Sequence, residues 1–239
     1  MQSLFTFLSP PDECGYLPAE RWQLRYDVVG ELTAAEYAER MVAGWRRFGH
    51  SLFRPQCPSC RKCLSIRVDV NRFAPSTTQK RIARANDGIV RLVIDRPQVT
   101  QEKLDLYDRY HEFQADFKGW PDHGGKSASE YFESFVDNPF PSQEWCYYID
   151  DRLVGVGYVD ALPVGLSAIY FFYEPGERSR SLGTWNVLST IAEAQRQGLP
   201  HVYLGYYVKG CQSLEYKAKY QPNETLRPDG SWQPYLSRK

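Results

Sequence analysis

Beyond residue 88 the hydrophobic period of this 239-residue chain switches between strand-like and helix-like spacing in a set order, and that order leaves little freedom in the fold. Ile89-Val-Arg-Leu-Val-Ile-Asp95 reads as a strand. From about Thr100 to Phe117, the residues Leu106, Tyr110, Phe113 and Phe117 recur on one helical face. Ser127-Ala-Ser-Glu130 is a capping box, in which the serine hydroxyl and the glutamate carboxylate satisfy backbone N–H groups. It opens a short helix that ends before Asn138-Pro139. EWCYYID, LVGVGYVDA and LSAIYFFYE follow as three strands, the first two joined through Asp150-Asp151. Then come a helix, LGTWNVLSTIAEAQRQG, a strand, HVYLGYYV, and a short helical segment from Leu214 to Lys219. The order β-α-α-β-β-β-α-β-α predicts an α+β domain over 89–239.

Residues 1–88 read as a separate, small Cys/Arg-rich N-terminal domain. Thr33-Ala-Ala-Glu36 is another capping box, and Tyr37, Met41, Trp45 and Phe48 form one apolar stripe behind it. The spacing predicts a helix ending at Gly49, with Arg46 and Arg47 in its last turn, where cations suit the helix dipole. Ile66, Val68 and Val70 alternate with polar neighbours, as in a half-buried strand. Between Arg40 and Arg91, twelve Lys or Arg residues face two acids, Asp69 and Asp87, so this segment carries +10 in a chain of net charge zero. Such asymmetry marks a surface for phosphates or acidic groups. No apolar run is long enough for a membrane span. The start, MQSLFTFLSPPDEC, lacks the basic and apolar regions of a signal peptide, so a cytosolic protein is expected. Its six cysteines are then thiols or ligands rather than disulfides.

Two segments carry chemistry. Between the strand ending near Tyr173 and the next helix, Arg178, Arg180 and the free N–H groups at the helix start make an anion site. Arg180-Ser-Leu-Gly183 resembles part of the coenzyme A loop of acetyltransferases, but Trp185 stands where that loop has a small residue and would crowd a pyrophosphate. The element order resembles the GNAT-like acyltransferase fold, whose mixed sheet splits and holds the acyl donor in the split. The second segment, Gly205-Tyr-Tyr-Val-Lys-Gly-Cys-Gln-Ser-Leu-Glu-Tyr-Lys-Ala-Lys-Tyr-Gln-Pro222, is more specific. It resembles the signature of the aminoacyl-tRNA–protein transferases. Cys14-Gly15-Tyr16, Gly44-Trp-Arg-Arg-Phe-Gly49 with Phe53-Arg54-Pro55, and Ser181-Leu-Gly-Thr-Trp185 resemble further landmarks of that family in the same order. Length and the Cys57, Cys60, Cys63 run resemble its bacterial branch, the aspartate/glutamate leucyltransferases, related to the arginyl-tRNA–protein transferases. Leu17 and Leu214 depart from the pattern, standing where eukaryotic members have Cys and where Met is usual.

The resemblance implies transfer of leucine from Leu-tRNA to the N-terminal Asp or Glu of acceptor proteins, creating an N-degron for protein degradation. Arginyl transfer from Arg-tRNA is the alternative, followed by acetyl-CoA-dependent acetylation. The ester donor is already activated, and an N-terminal amine has a pKa of about 8, so the chemistry requires no cofactor. Lys217, Tyr216 and Tyr206 are the expected catalytic residues. Arg46, Arg47 and Arg54, with Trp45 packed beneath, are expected to hold the acceptor carboxylate through bidentate forks. Tyr207 joins them as a substrate contact that could stack the terminal base. Lys80, Arg81, Arg84, Arg178, Arg180 and Gly183 are the expected tRNA contacts. Cys57, Cys60 and Cys63, with Cys14 as fourth ligand, are candidates for zinc or an iron–sulfur cluster. His111 and His123 are the available imidazoles for proton transfer, and the sequence pairs neither with a partner.

Overall fold

The computed structural model describes residues 1–235. In chain order its elements are β1 (Gln2–Leu8), β2 (Asp12–Glu13), β3 (Arg21–Trp22), β4 (Leu24–Glu31), α1 (Ala34–Val42), β5 (Arg46–Phe48), β6 (Ser51–Pro55), β7 (Leu64–Asp69) and α2 (Thr77–Asn86). There follow β8 (Val90–Asp95), α3 (Gln101–Lys118), and α4 (Ala128–Tyr131) running into a wide turn, Phe132–Val136. Then come β9 (Ser142–Ile149), β10 (Arg152–Leu162), β11 (Gly165–Tyr173), a tight helical turn Pro175–Arg180, α5 (Leu182–Arg196) and β12 (His201–Tyr207). The chain ends through α6 (Gln212–Glu215), a second tight turn Tyr216–Lys219, β13 (Asn223–Leu226) and β14 (Trp232–Pro234). From β8 to α6 this is the order expected from the hydrophobic pattern. Among the described residues, no helix is long and apolar enough to cross a membrane.

One eight-stranded mixed sheet, ordered β14-β13-β7-β12-β11-β10-β9-β8, organises the molecule. All its neighbours run antiparallel except β11 and β12. Helix α3 covers one face, where Leu106 and Tyr110 meet Val156, Tyr158 and Phe172. Helix α5 covers the other, where Val187 and Ile191 meet Ile66, Val154 and Leu204. β7 lies between β13 and β12, so this sheet takes a strand from each side of the boundary drawn at residue 88. The rest of the front segment forms a four-stranded antiparallel sheet, β1-β4-β6-β5, packed with α1.

The helix expected to run to Gly49 stops at Val42. Gly44, at φ +87°, turns the chain, and Arg46 and Arg47 lie in a strand instead of a last helical turn. The cause is tertiary. In a strand, successive side chains point to opposite sides, and each arginine finds its own partners there. Arg47 Nε donates to Asp160 Oδ2 at 2.8 Å, and Nη2 reaches Oδ1 and the Ser142 hydroxyl. Tyr37 donates to the same carboxylate at 2.7 Å. This buried, fully bonded pair ties β5 and α1 to β10.

Arg46 occupies the sheet opening. β11 and β12 pair only through Leu166↔Val202 and Ser167↔Tyr203, then separate. Gly205, at φ +81°, breaks the register of β12 between Tyr203 and Tyr206. Arg46 Nη1 donates to Ser167 Oγ at 2.9 Å and Nη2 to the Ala168 carbonyl, while Nε lies 3.4 Å from the place a Cβ on Gly205 would take. The sheet is therefore split after β11, as expected, and a guanidinium props the split at its apex.

Candidate active site

The split opens into a cleft of about 1100 Å³ between β11, α5 and the turn Tyr216–Lys219. Tyr16 and α2 close one side, with Gln79 and Ile82 facing inward. Four cations line it, Lys118, Arg178, Lys217 and Lys219, and no Asp or Glu among the described residues does. The remaining wall mixes apolar side chains, Ile169, Phe171, Val187, Leu204 and Leu214 among them, with uncharged polar ones such as Thr78, Gln79, Thr184 and Asn186.

Lys217 is the most perturbed cation in this cleft. Its Nζ donates to the Tyr206 carbonyl at 2.9 Å. Burial, reinforced by the Arg46 charge, lowers its pKa to about 7, against the weaker opposing pull of Cys211 and Cys63. A lysine so tuned exchanges a proton readily near neutral pH and still supplies a positive charge when protonated. Tyr216 stands beside it, partly exposed to the cleft. Tyr206 contributes through its backbone, because its hydroxyl is turned away and donates to the Gly44 carbonyl at 2.9 Å.

The N-terminal candidates divide. Arg47 is consumed by Asp160, which corrects its expected role as a carboxylate clamp. Arg46 spends its donors on Ser167 and Ala168, so it shapes the cleft instead of gripping a ligand. Trp45 is buried between Arg40 and Arg54, whose guanidinium carbons lie 5.1 and 4.9 Å from its ring. Arg54, like Arg46, has no carboxylate partner among the described residues, and of the three only Arg47 is ion-paired. Tyr207 is buried, outside the cleft, with its hydroxyl 2.8 Å from that of Tyr235; it cannot stack a base.

Of the expected tRNA contacts, Lys80, Arg81 and Arg84 are exposed on α2, whose inner face lines the cleft. Arg178 lines the cleft with its guanidinium 5.6 Å from the Phe117 ring. Arg180 is paired with Glu177 at 2.8 Å and lies outside the lining. Gly183 faces open space at the start of α5, where Ser181 provides no side-chain cap and the first amides remain free. Trp185 packs into the core and not into the cleft, so the expected crowding of a pyrophosphate does not occur.

All six cysteines are free. Burial first, then the neighbours Cys57, Cys14, Cys60 and Cys211, push the Cys63 thiol up to about 12. Cys211, which the spacing argument did not include, thus belongs to the same neighbourhood. Among the described residues, no three His, Cys, Asp or Glu side chains are arranged to hold a metal ion. Cys57 instead directs its sulfur toward the Gln23 carbonyl, 3.8 Å away.

Residues 12–81 match the N-terminal region, and residues 102–227 the C-terminal region, of the arginine-tRNA-protein transferases. The chain belongs to this family. An aspartate/glutamate leucyltransferase from Campylobacter jejuni (strain RM1221) is 37% identical over 222 residues, covering 92% of each chain. One from Pseudomonas fluorescens is 41% identical over 225 residues, with the same coverage. Among solved structures, L-PGS from Bacillus licheniformis superposes with a TM-score of 0.44 at 12% identity, over 76% of this chain and 53% of that one, too distant to bear on the reaction. In this transferase the cleft draws on both family regions, with Tyr16 and Gln79 from the first and Arg178, Gly183 and Lys217 from the second. Lys118, Lys219 and Tyr170 were missed from sequence, since nothing local distinguishes an inward surface lysine or strand tyrosine from any other.

Proposed function

We propose that the cleft transfers leucine from Leu-tRNA to the α-amine of an acceptor protein beginning with Asp or Glu, in the cytoplasm, and that the new N-terminus acts as a degradation signal. The observation that carries this is the wall of the cleft, which joins an apolar patch to four cations and, among the described residues, no carboxylate. A leucine side chain suits the surface made by Ile169, Phe171, Val187 and Leu204. An arginine donor would bring a fifth cation among four, with no acid to offset it. The acceptor's carboxylate and the tRNA phosphates both gain from the same cations. The names carried by the two relatives support the same donor and acceptors.

In this reading the phosphates follow Lys80, Arg81 and Arg84 into the cleft, and the last of them meets Arg178 and the free amides at the start of α5. The acceptor carboxylate meets Lys219, beside Lys217 on the same turn. Protonated Lys217 stabilises the oxyanion and gives its proton to the departing ribose oxygen. Labelled Leu-tRNA and Arg-tRNA, each mixed with the purified protein and an Asp-initiated peptide, test the proposal. Leucine incorporation is expected. Preferential arginine incorporation refutes the donor, and no incorporation from either refutes the reaction.

A further inference from the structure

The departing oxygen has a proton source in Lys217, but the attacking amine must also lose a proton. Tyr170 of β11 lines the cleft just beyond the point where β11 leaves β12. Its hydroxyl lies 2.7 Å from Nε2 of His111. The other ring nitrogen, Nδ1, lies 2.7 Å from the Tyr107 carbonyl. A carbonyl only accepts, so Nδ1 carries the proton of the neutral ring and Nε2 offers its lone pair. Tyr170 therefore donates to His111, and its oxygen keeps acceptor capacity for an N–H in the cleft.

We propose that Tyr170 and His111 relay the proton away from the acceptor's α-amine, with Tyr170 as the catalytic residue touching the amine and His111 as the base behind it. This rests on the transfer reading above. As the amine nitrogen bonds to the ester carbonyl carbon, its proton passes to the Tyr170 oxygen, and the Tyr170 proton passes to His111 Nε2. The carbon–oxygen bond to the ribose then breaks, and that oxygen takes a proton from Lys217. The reaction leaves an imidazolium and a neutral lysine, which reset by exchange with water, and no electrons are gained or lost.

The surroundings of His111 suit a base. Tyr107 and Tyr110 of α3, Trp120 and His123 of the following loop, and Tyr170 enclose the ring. Burial chiefly holds its pKa below the ordinary histidine value; the charges of His123 and Lys126 add to this, while the Tyr107 carbonyl and Asp108 oppose it. The ring is thus neutral and able to accept near pH 7. His123 stacks on it with centroids 4.7 Å apart, and its Nε2 lies 2.7 Å from Asp108 Oδ1. A carboxylate therefore stands one ring away from the imidazolium that forms. Both histidines were visible in sequence, and the fold supplies the partners the sequence did not.

The test compares wild type, Tyr170→Phe and His111→Gln at saturating Leu-tRNA and Asp-initiated peptide. Each substitution should lower kcat roughly 100-fold or more with little change in KM, since proton relay contributes in the transition state. The acid limb of the kcat profile assigned to His111 should disappear in His111→Gln. Unchanged kcat and profile in both variants, with wild type active, overturn the relay alone. Wild type that transfers nothing overturns the transfer reading and the relay with it. Should a variant lose its thermal transition, the solvent-deuterium proton inventory of wild type decides: a curved dependence is expected, and a linear one refutes the relay.

Discussion

Replacing Lys217 by Met should make the protein more stable and less active at once. The side chain feels the Arg46 charge and has one carbonyl acceptor and, among the described residues, no carboxylate partner, and its pKa falls from 10.5 to about 7. A tenfold change in protonation corresponds to about 1.4 kcal/mol, so sealed burial of the ammonium would cost several kcal/mol. The side chain is half-buried, and solvent screening reduces the expected gain of Lys217→Met to ~2 kcal/mol at pH 7. The sign follows from linkage. Below pH 7 wild type holds a charged lysine in both states and bears the full cost, and at pH 7 it still bears nearly all of it. Between pH 7 and 10.5 the unfolded chain keeps its proton while the folded one does not, so wild-type stability rises and the advantage of Met shrinks. Urea unfolding at pH 7, 8 and 9 measures both sign and slope. A Met variant less stable than wild type at pH 7, or an advantage that does not shrink with pH, refutes the account of Lys217 as a strained, functional lysine. Transfer activity should be nearly lost in the same variant.

Three further outcomes are expected. Arg46→Leu removes the charge that helps depress Lys217, so the kcat profile should shift to higher pH; an unmoved profile means burial alone tunes the lysine. Arg47→Ala leaves Asp160 buried without its guanidinium and should cost about 3–5 kcal/mol in urea unfolding, because breaking one side of a buried pair strands the other charge. Replacing Lys80, Arg81 and Arg84 together by Gln should weaken tRNA binding for every tRNA and lower the salt slope of log K by up to about 2–3, with activity recovering at saturating tRNA.

Much of the fold was legible because its elements depend on local patterns. The capping boxes at Thr33 and Ser127 and the three strands between Glu144 and Tyr173 are readable one segment at a time, and each stands where expected. The site was less legible because its residues depend on contacts far apart in the chain. Lys217 was readable as a candidate from its motif, yet its depressed pKa needs Arg46, which arrives from β5. Tyr207 and Arg180 looked like ligand contacts by type, and Tyr235 and Glu177 claim them. Ser76 also caps α2 through a box with Gln79, and that cap holds the basic residues beside the cleft.

Arg46 and Arg47 show why the missed step was a single one. Treated as helix, they are two cations side by side in a last turn, off the stripe of Tyr37, Met41, Trp45 and Phe48. Placed in a strand after the turn at Gly44, they must face opposite ways. One side faces Asp160 of β10 and the other faces the gap between β11 and β12, so a single dipeptide joins the buried ion pair to the split of the sheet. The helix would have left Asp160 buried without a cation and the gap without its prop. A buried carboxylate without a partner costs far more than the helical turn gains, and that difference selects the strand. The same strand brings a positive charge to Lys217, so the fold's choice at Arg46 and the chemistry of the cleft have one physical cause.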